Sequence, residues 1–146
     1  MKMSEISVQE QFGIAIGEVS RAWRLNLNKR LKPLGMSQSK WRALRYADRA
    51  GDIAQADLAA LLGIEAPAVT RLIKQMEQEG WITRQARPDD ARVKLVRVTA
   101  KARKIIARID QEVARLRADT VARLPAAEAA AGLRAMLTLQ QLLQAL

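Results

Sequence analysis

Apolar residues at Phe12, Ile16, Val19, Trp23, Leu27 and Leu31 recur every three or four positions across residues 8–34. A helix turns once per 3.6 residues, so this spacing predicts one stripe of a long amphipathic helix. Pro33 and Gly35 end it. Ser37 offers a hydroxyl to an orphan amide at the start of a second helix, which runs through Trp41, Leu44 and Arg45 and stops before Gly51. A short helix over Gln55–Leu62 follows, with Leu58, Leu61 and Leu62 inward and Gly63 as its stop. After the link Ile64-Glu65-Ala66, Pro67 fits a first helical turn, where its missing N–H costs nothing. That helix reaches about Glu79, buries Val69, Leu72, Ile73 and Met76, and ends at Gly80, which can take a positive φ.

At Trp81 the period changes from 3.6 to 2. Trp81-Ile82-Thr83-Arg84 reads as one strand and Val96-Arg97-Val98 as another, with Ala86 to Arg92 as a polar tip between them. Thr99 caps a fifth helix carrying Ile105, Ile109, Val113 and Leu116 on one side, and Leu124-Pro125 breaks it. A last helix covers 126–146, with a stripe of Leu133, Met136 or Leu137, Leu139, Leu143 and Leu146. The expected fold is mainly α with a small β-hairpin wing. A winged helix-turn-helix domain spans 35–99, and residues 1–34 and 100–146 form a helical dimerisation region.

Composition narrows the function. Hydrophobic residues make up 49% of the 146, enough for a core, and aromatics only 3%, so aliphatic side chains must fill it. There is no cysteine and no histidine, which removes thiol chemistry, zinc fingers and almost any transition-metal site, and no cofactor is expected. Glu5, Glu10 and Glu18 interrupt the N-terminal stretch, so no secretory signal is read there, and no apolar run approaches a membrane span. The expected setting is the cytoplasm, with no membrane partner.

The net charge of +10 is unevenly spread. Residues 21–49 hold nine basic side chains against Asp48 alone, and 65–104 hold ten against five, whereas 105–146 are nearly neutral with five against four. Two basic blocks point to a polyanion, since each phosphate neutralised releases a counterion.

The pair 55–62 and 67–79 has helix-turn-helix spacing, in which the second helix lies in the major groove with its N-terminal residues toward the bases. Small Ala68 permits close approach, and Thr70, Arg71 and Lys74 share the outward arc. Arg71 is the candidate for base readout, because a guanidinium pairs bidentately with guanine. At the wing, Arg92 suits an electronegative minor groove, and Asp90 orients an arginine or caps the turn. Arg84, Arg87, Lys94 and Arg97 are expected on the DNA backbone. The first and last two helices carry more apolar surface than a compact winged core can bury, which predicts a homodimer on a palindromic site of double-stranded DNA.

With these segments in place, the chain resembles the MarR family, and within it the SlyA-like group. The resemblance is carried by Trp23-Arg24, Arg30-Leu31-Lys32-Pro33-Leu34, Ser37-Gln38 with Trp41 and Leu44, and Gln55-Ala56-Asp57-Leu58-Ala59. It continues through Leu62-Gly63-Ile64-Glu65, Gly80-Trp81-Ile82-Thr83-Arg84, and Asp90-x-Arg92 followed by Val98-Thr99, so it covers about residues 12–140. It implies an interlocked dimer and a recognition helix at 67–79 with Pro67, Ala68 and Arg71 near bases. It also implies Arg92 in the minor groove and, in many members, response to small aromatic or phenolic carboxylates. Two residues depart from the pattern: Ala54 stands where a serine or threonine often caps, and Ala102 where glycine is frequent, though SlyA-like members share the latter. Lack of cysteine excludes the peroxide-sensing mode of one branch.

Trp23, Arg24, Ser37, Trp41 and Arg45 combine aromatic faces, a hydroxyl and guanidinium groups, as an aromatic acid requires. The competing reading puts both tryptophans in the core and both arginines on DNA or in solvent. Two rival functions remain in view. A nucleoid-like structural protein explains the charge but not the wing, and an enzyme lacks any nucleophile–base pair.

Overall fold

The computed structural model describes Lys2 and residues 5–146. Among these the elements run α1 (Val8–Leu31), α2 (Gln38–Ala50), β1 (Ile53–Ala54), α3 (Gln55–Leu62), α4 (Ala66–Gln78), β2 (Ile82–Arg87), β3 (Asp90–Val98), α5 (Ala100–Asp119) and α6 (Ala126–Gln144). Single 3-10 turns at Lys32–Leu34 and Val121–Arg123 follow α1 and α5. No helix among the described residues is long and apolar enough to cross a membrane.

Local chemistry sets the helix ends. The Ser37 hydroxyl accepts from the Lys40 amide at 3.3 Å and opens α2, and the Thr99 hydroxyl accepts from the Ala102 amide at 3.2 Å and opens α5. Ala54 occupies the N-cap of α3 with extended backbone and no capping bond, so that helix begins without the usual contribution of a polar cap. Gly80 ends α4 at φ +82°, a conformation that a Cβ disfavours.

The chain divides into two compact units, the first extending to Asp110 and the second Gln111–Leu146. In the first unit, Leu27 and Leu31 of α1, Leu44 of α2, Leu58 of α3, and Ile73 and Met76 of α4 are fully buried. Ile82, Val96 and Val98 join them from the sheet, whose order is β1-β3-β2, antiparallel throughout. In the second unit, Val113 and Leu116 are buried, while α6 has no buried residue.

Several elements differ from the sequence expectation. The wing is longer and its tip shorter. Ile82 pairs with Val98 and Arg87 with Asp90, leaving only Pro88-Asp89 as the turn. Proline's fixed φ suits the start of a tight turn, and the polar residues around it give no strand signal because no apolar alternation marks an exposed strand. A register shift at Ala86/Arg87 bends the ribbon there. The two-residue strand β1, which pairs Ile53 with Val96, is too short to leave a periodic signal. Leu61, expected inward, is 49% exposed, because Leu58 and Leu62 already define the buried side of the two-turn helix and Leu61 projects beyond it. Leu72 is half-buried rather than buried. The apolar stripe of α1 is exposed from Val8 to Val19 and turns inward only at Leu27.

These burial differences have a measurable consequence. Leu58→Ala is expected to lower the unfolding free energy by about 2–5 kcal/mol, against less than about 1 kcal/mol for Leu61→Ala, read from urea titrations.

Candidate nucleic-acid interface

Helix α4 presents one face to the core through Val69, Ile73 and Met76. That leaves Pro67, Thr70, Arg71 and Lys74 exposed and Ala68 half-buried. The Thr70 hydroxyl donates to the Ala66 carbonyl at 3.0 Å. Arg71 and Lys74 have no hydrogen-bond or ion-pair partner among the described residues, so two cations stand ready for an external anion without first breaking a bond.

Alongside lies an open groove of about 440 Å³. Ala54, Ala56, Ala59 and Ala66 line it together with Val69 and Thr70 of α4, and Arg84, Arg92, Val93 and Lys94 bring in the wing. The alanines give a shallow lining that a bulkier residue would fill. Arg92 is 91% exposed in its side chain. Asp90 holds it: Oδ1 accepts from the Arg92 backbone N–H and from Nε, both at 3.1 Å. The Arg92 bonds in turn keep the Asp90 carboxyl below its ordinary range. Lys94 is exposed and without a partner among the described residues.

Other basic residues of the wing are turned to internal use. Arg84 Nη2 pairs with Glu77 of α4 at 3.0 Å, and Nη1 reaches Gln55 of α3 at 3.4 Å, so it braces β2, α4 and α3 together. Arg97 makes a bidentate pair with Asp52 at 2.6 and 2.7 Å, and Arg87 pairs with Asp89 at 2.7 Å. Gln55, Asp52 and Glu77 were not singled out from sequence. The brace joins residues 29 and 7 positions apart, a link with no local pattern to betray it.

The five residues grouped for an aromatic acid separate. Trp41 and Arg45 share a cavity of about 160 Å³ with Leu44, Asp48, Arg49, Ile106, Ile109 and Asp110. The Arg45 guanidinium lies 5.4 Å from the Trp41 ring centroid and 3.8 Å from the Asp110 carboxylate. Ser37 caps α2, and it does not line this cavity; nor do Trp23 and Arg24.

Glu77 and Glu79 both ionise below the usual glutamate range. At Glu77 the Arg84 hydrogen bonds outweigh partial burial. At Glu79 partial burial is the largest single influence and acts upward, but hydrogen bonds from Lys40, Trp81 and Gln75 together overcome it. A carboxyl depressed in the folded state stabilises the fold above its unfolded pKa, about 4.3 for glutamate, and that stabilisation is lost as pH falls toward the folded value. Thermal melting should therefore be level near neutrality and decline below about pH 4.3. Glu77→Gln should make that acid decline shallower.

Comparison with known proteins bears on the family and the fold. Residues 36–94 match the MarR family. The solved structure of the transcriptional regulator PA3341 is 33% identical, covering 92% of this chain and 99% of its own, with a TM-score of 0.79. A cysteine-to-serine mutant of MarR from E. coli complexed with operator DNA is 25% identical, covering 91% and 97%, with a TM-score of 0.79. AbsC, a MarR family transcriptional regulator from Streptomyces coelicolor, shares the fold at 19% identity, with coverage of 97% and 98% and a TM-score of 0.84.

Proposed function

The chain belongs to the MarR family, and from that premise we propose that it is a sequence-specific regulator of transcription that binds double-stranded DNA as a homodimer. The observation that carries the reading is that α4, which carries unpaired Arg71 and Lys74 on its exposed surface, and the wing, with exposed Arg92 and Lys94, wall one groove, α4 through Ala66, Val69 and Thr70 and the wing through Arg92 and Lys94. A helix in the major groove and a hairpin reaching the adjacent minor groove use those two surfaces at once. Pro67, Ala68 and Thr70 lie toward the bases, Arg71 reads a base edge and Arg92 enters the minor groove. Arg84 contributes by bracing α4 and the wing, and Arg87 and Lys94 lie near phosphates. Such a protein works where the DNA is, in the cytoplasm.

The homodimer is supported by surface that one chain leaves uncovered. Val19 of α1 is 65% exposed and Leu133 of α6 59%, each within a run of further apolar side chains. A second copy covering these runs, with residues 1–34 and 100–146 as its contact and 35–99 left to the DNA, sets two recognition helices about 34–36 Å apart. In sedimentation, the wild type should show twice the mass of one chain. Leu133→Glu with Leu137→Glu should shift it toward a single chain.

The cavity beside Trp41 supports a small-molecule effector. An engineered cavity of about 150 Å³ holds benzene, and this one, at about 160 Å³, has room for a single ring. An aromatic carboxylate or phenol stacks on Trp41 and pairs with Arg45 in place of Asp110.

Selection of duplexes from a random pool, with and without salicylate-like compounds, tests the whole reading. A palindrome with half-sites one turn apart is the expected product. Equal binding to random duplex at the same salt supports instead the nucleoid-like alternative. Arg71→Ala should flatten the preference at one base position per half-site while keeping most of the salt-dependent affinity. Arg92→Ala should weaken A·T-flanked sites more than G·C-flanked ones.

A further inference from the structure

We propose that Glu79 is a positioning residue for DNA binding: its carboxylate gathers Lys40, Gln75 and Trp81 and so holds the wing at a fixed angle to the recognition helix. The inference rests on the DNA-binding reading above and deepens it. Glu79 is the C-cap residue of α4, next to the turn at Gly80 from which the wing departs. Both its oxygens accept from Lys40 Nζ at 2.8 Å, and Lys40 lies in the first turn of α2. One oxygen also accepts from Gln75 Nε2, a turn back on α4, and the other from the indole N–H of Trp81, each at 2.9 Å.

Trp81 opens the wing and is itself held on two more sides. Lys101 of α5 lies 4.3 Å from its ring centroid and donates to the Glu79 carbonyl at 2.6 Å. Gly35, at φ +73°, comes so near that an added Cβ would meet the ring at 3.2 Å. A lone exposed ion pair contributes little to a fold. Here one carboxylate ties α2, the end of α4 and the root of the wing together, with a buried indole among its donors.

The leverage is large because Glu79 sits where two arms meet. Eight to twelve residues of α4 at about 1.5 Å each separate Glu79 from Arg71 and Pro67, about 12–18 Å. Six strand residues at about 3.3 Å each put the wing tip about 20 Å away. A swing of about 10° at the vertex carries Arg71 by about 2 Å and the wing tip by about 3.5 Å, more than a hydrogen bond tolerates. The Arg84–Glu77 pair braces the same arms further out, so loss of Glu79 loosens the angle and leaves the fold standing.

The test uses the full chain with Glu79→Ala and Lys40→Met, and Lys40→Arg as the conservative variant. Each is titrated at one salt concentration against the duplex the wild type selects, in A·T- and G·C-flanked forms, and against random duplex. Glu79→Ala and Lys40→Met should lose about tenfold on the A·T-flanked duplex, bring the flank ratio near one, and leave random duplex within about twofold. Lys40→Arg should keep the wild-type values. Of the three indole N–H resonances given by the three tryptophans, that of Trp81 should move in the first two variants and stay in the third. The proposal is overturned if both disruptive variants keep the selected-site affinity and flank ratio. It is equally overturned if they lose all three duplexes in the same proportion, which would make the cluster a source of stability alone. A wild type with no preferred duplex overturns the DNA reading itself, and does so before any variant is compared.

Discussion

Burial of Val69, Ile73 and Met76 removes the freedom of α4 to rotate about its own axis. Those three side chains lie four and three residues apart, so they mark one face of the helix, and packing them fixes where every other residue points. Arg71 and Lys74 are outward for that reason alone. Their exposure follows from what the core takes in, and needs no force acting on the cations themselves. The same logic governs β3, where buried Val96 and Val98 leave Arg97 between them on the open face.

Charge counted along the chain overstates what faces an external anion. Arg84 is occupied by Glu77 and Gln55, Arg97 by Asp52, and Lys40 by Glu79. These pairs are internal struts that tie α2, α3, α4 and the strands to one another. What remains without a partner among the described residues on α4 and the wing is Arg71, Lys74 and Lys94, with Arg92 held only by its neighbour Asp90. Few free cations near a groove with an alanine lining favour a short, well-defined contact over a broad electrostatic one. Since only phosphate contacts release counterions, the salt dependence should follow this smaller set and not the net charge of +10.

Sequence made the helices legible because each carries a stripe and a punctuation mark: Ser37 before α2, Gly63 after α3, Gly80 after α4, Thr99 before α5. It revealed the wing through the change of period at Trp81, but not its length. Gln85, Ala86 and Arg92 lie on an exposed ribbon, where neither face is buried and the polar–apolar alternation fades. Leu61 was misassigned because a two-turn helix offers too few residues to separate a stripe of two leucines from one of three. The struts were illegible for a different reason. Lys40 and Glu79 are 39 residues apart, and only the folded chain brings them within bonding distance. Trp23, Arg24, Ser37, Trp41 and Arg45 are near in sequence, but the turn at Gly35 puts Trp23 and Arg24 on a different helix from Trp41 and Arg45, and Ser37 is taken up as the cap of α2.

Helix α1 joins both properties of the molecule. Phe12, Ile16, Val19 and Trp23 follow one line along it, and Arg21 and Arg24 fall well round from that line at 100° per residue, whereas Arg30, five turns after Phe12, returns to it. Leu27 and Leu31, further along the helix and drifting round from that line, face the core. A second copy can therefore cover the apolar line as far as Trp23 while Arg21 and Arg24 stay in water, avoiding the cost of burying unpaired charge. The last third of the chain meets the same requirement by composition, since residues 105–146 hold five basic against four acidic side chains and so repel a twin only weakly. Strong positive charge and self-association ordinarily oppose one another; an apolar line on α1 that runs apart from Arg21 and Arg24, and a nearly neutral last third of the chain, limit that conflict.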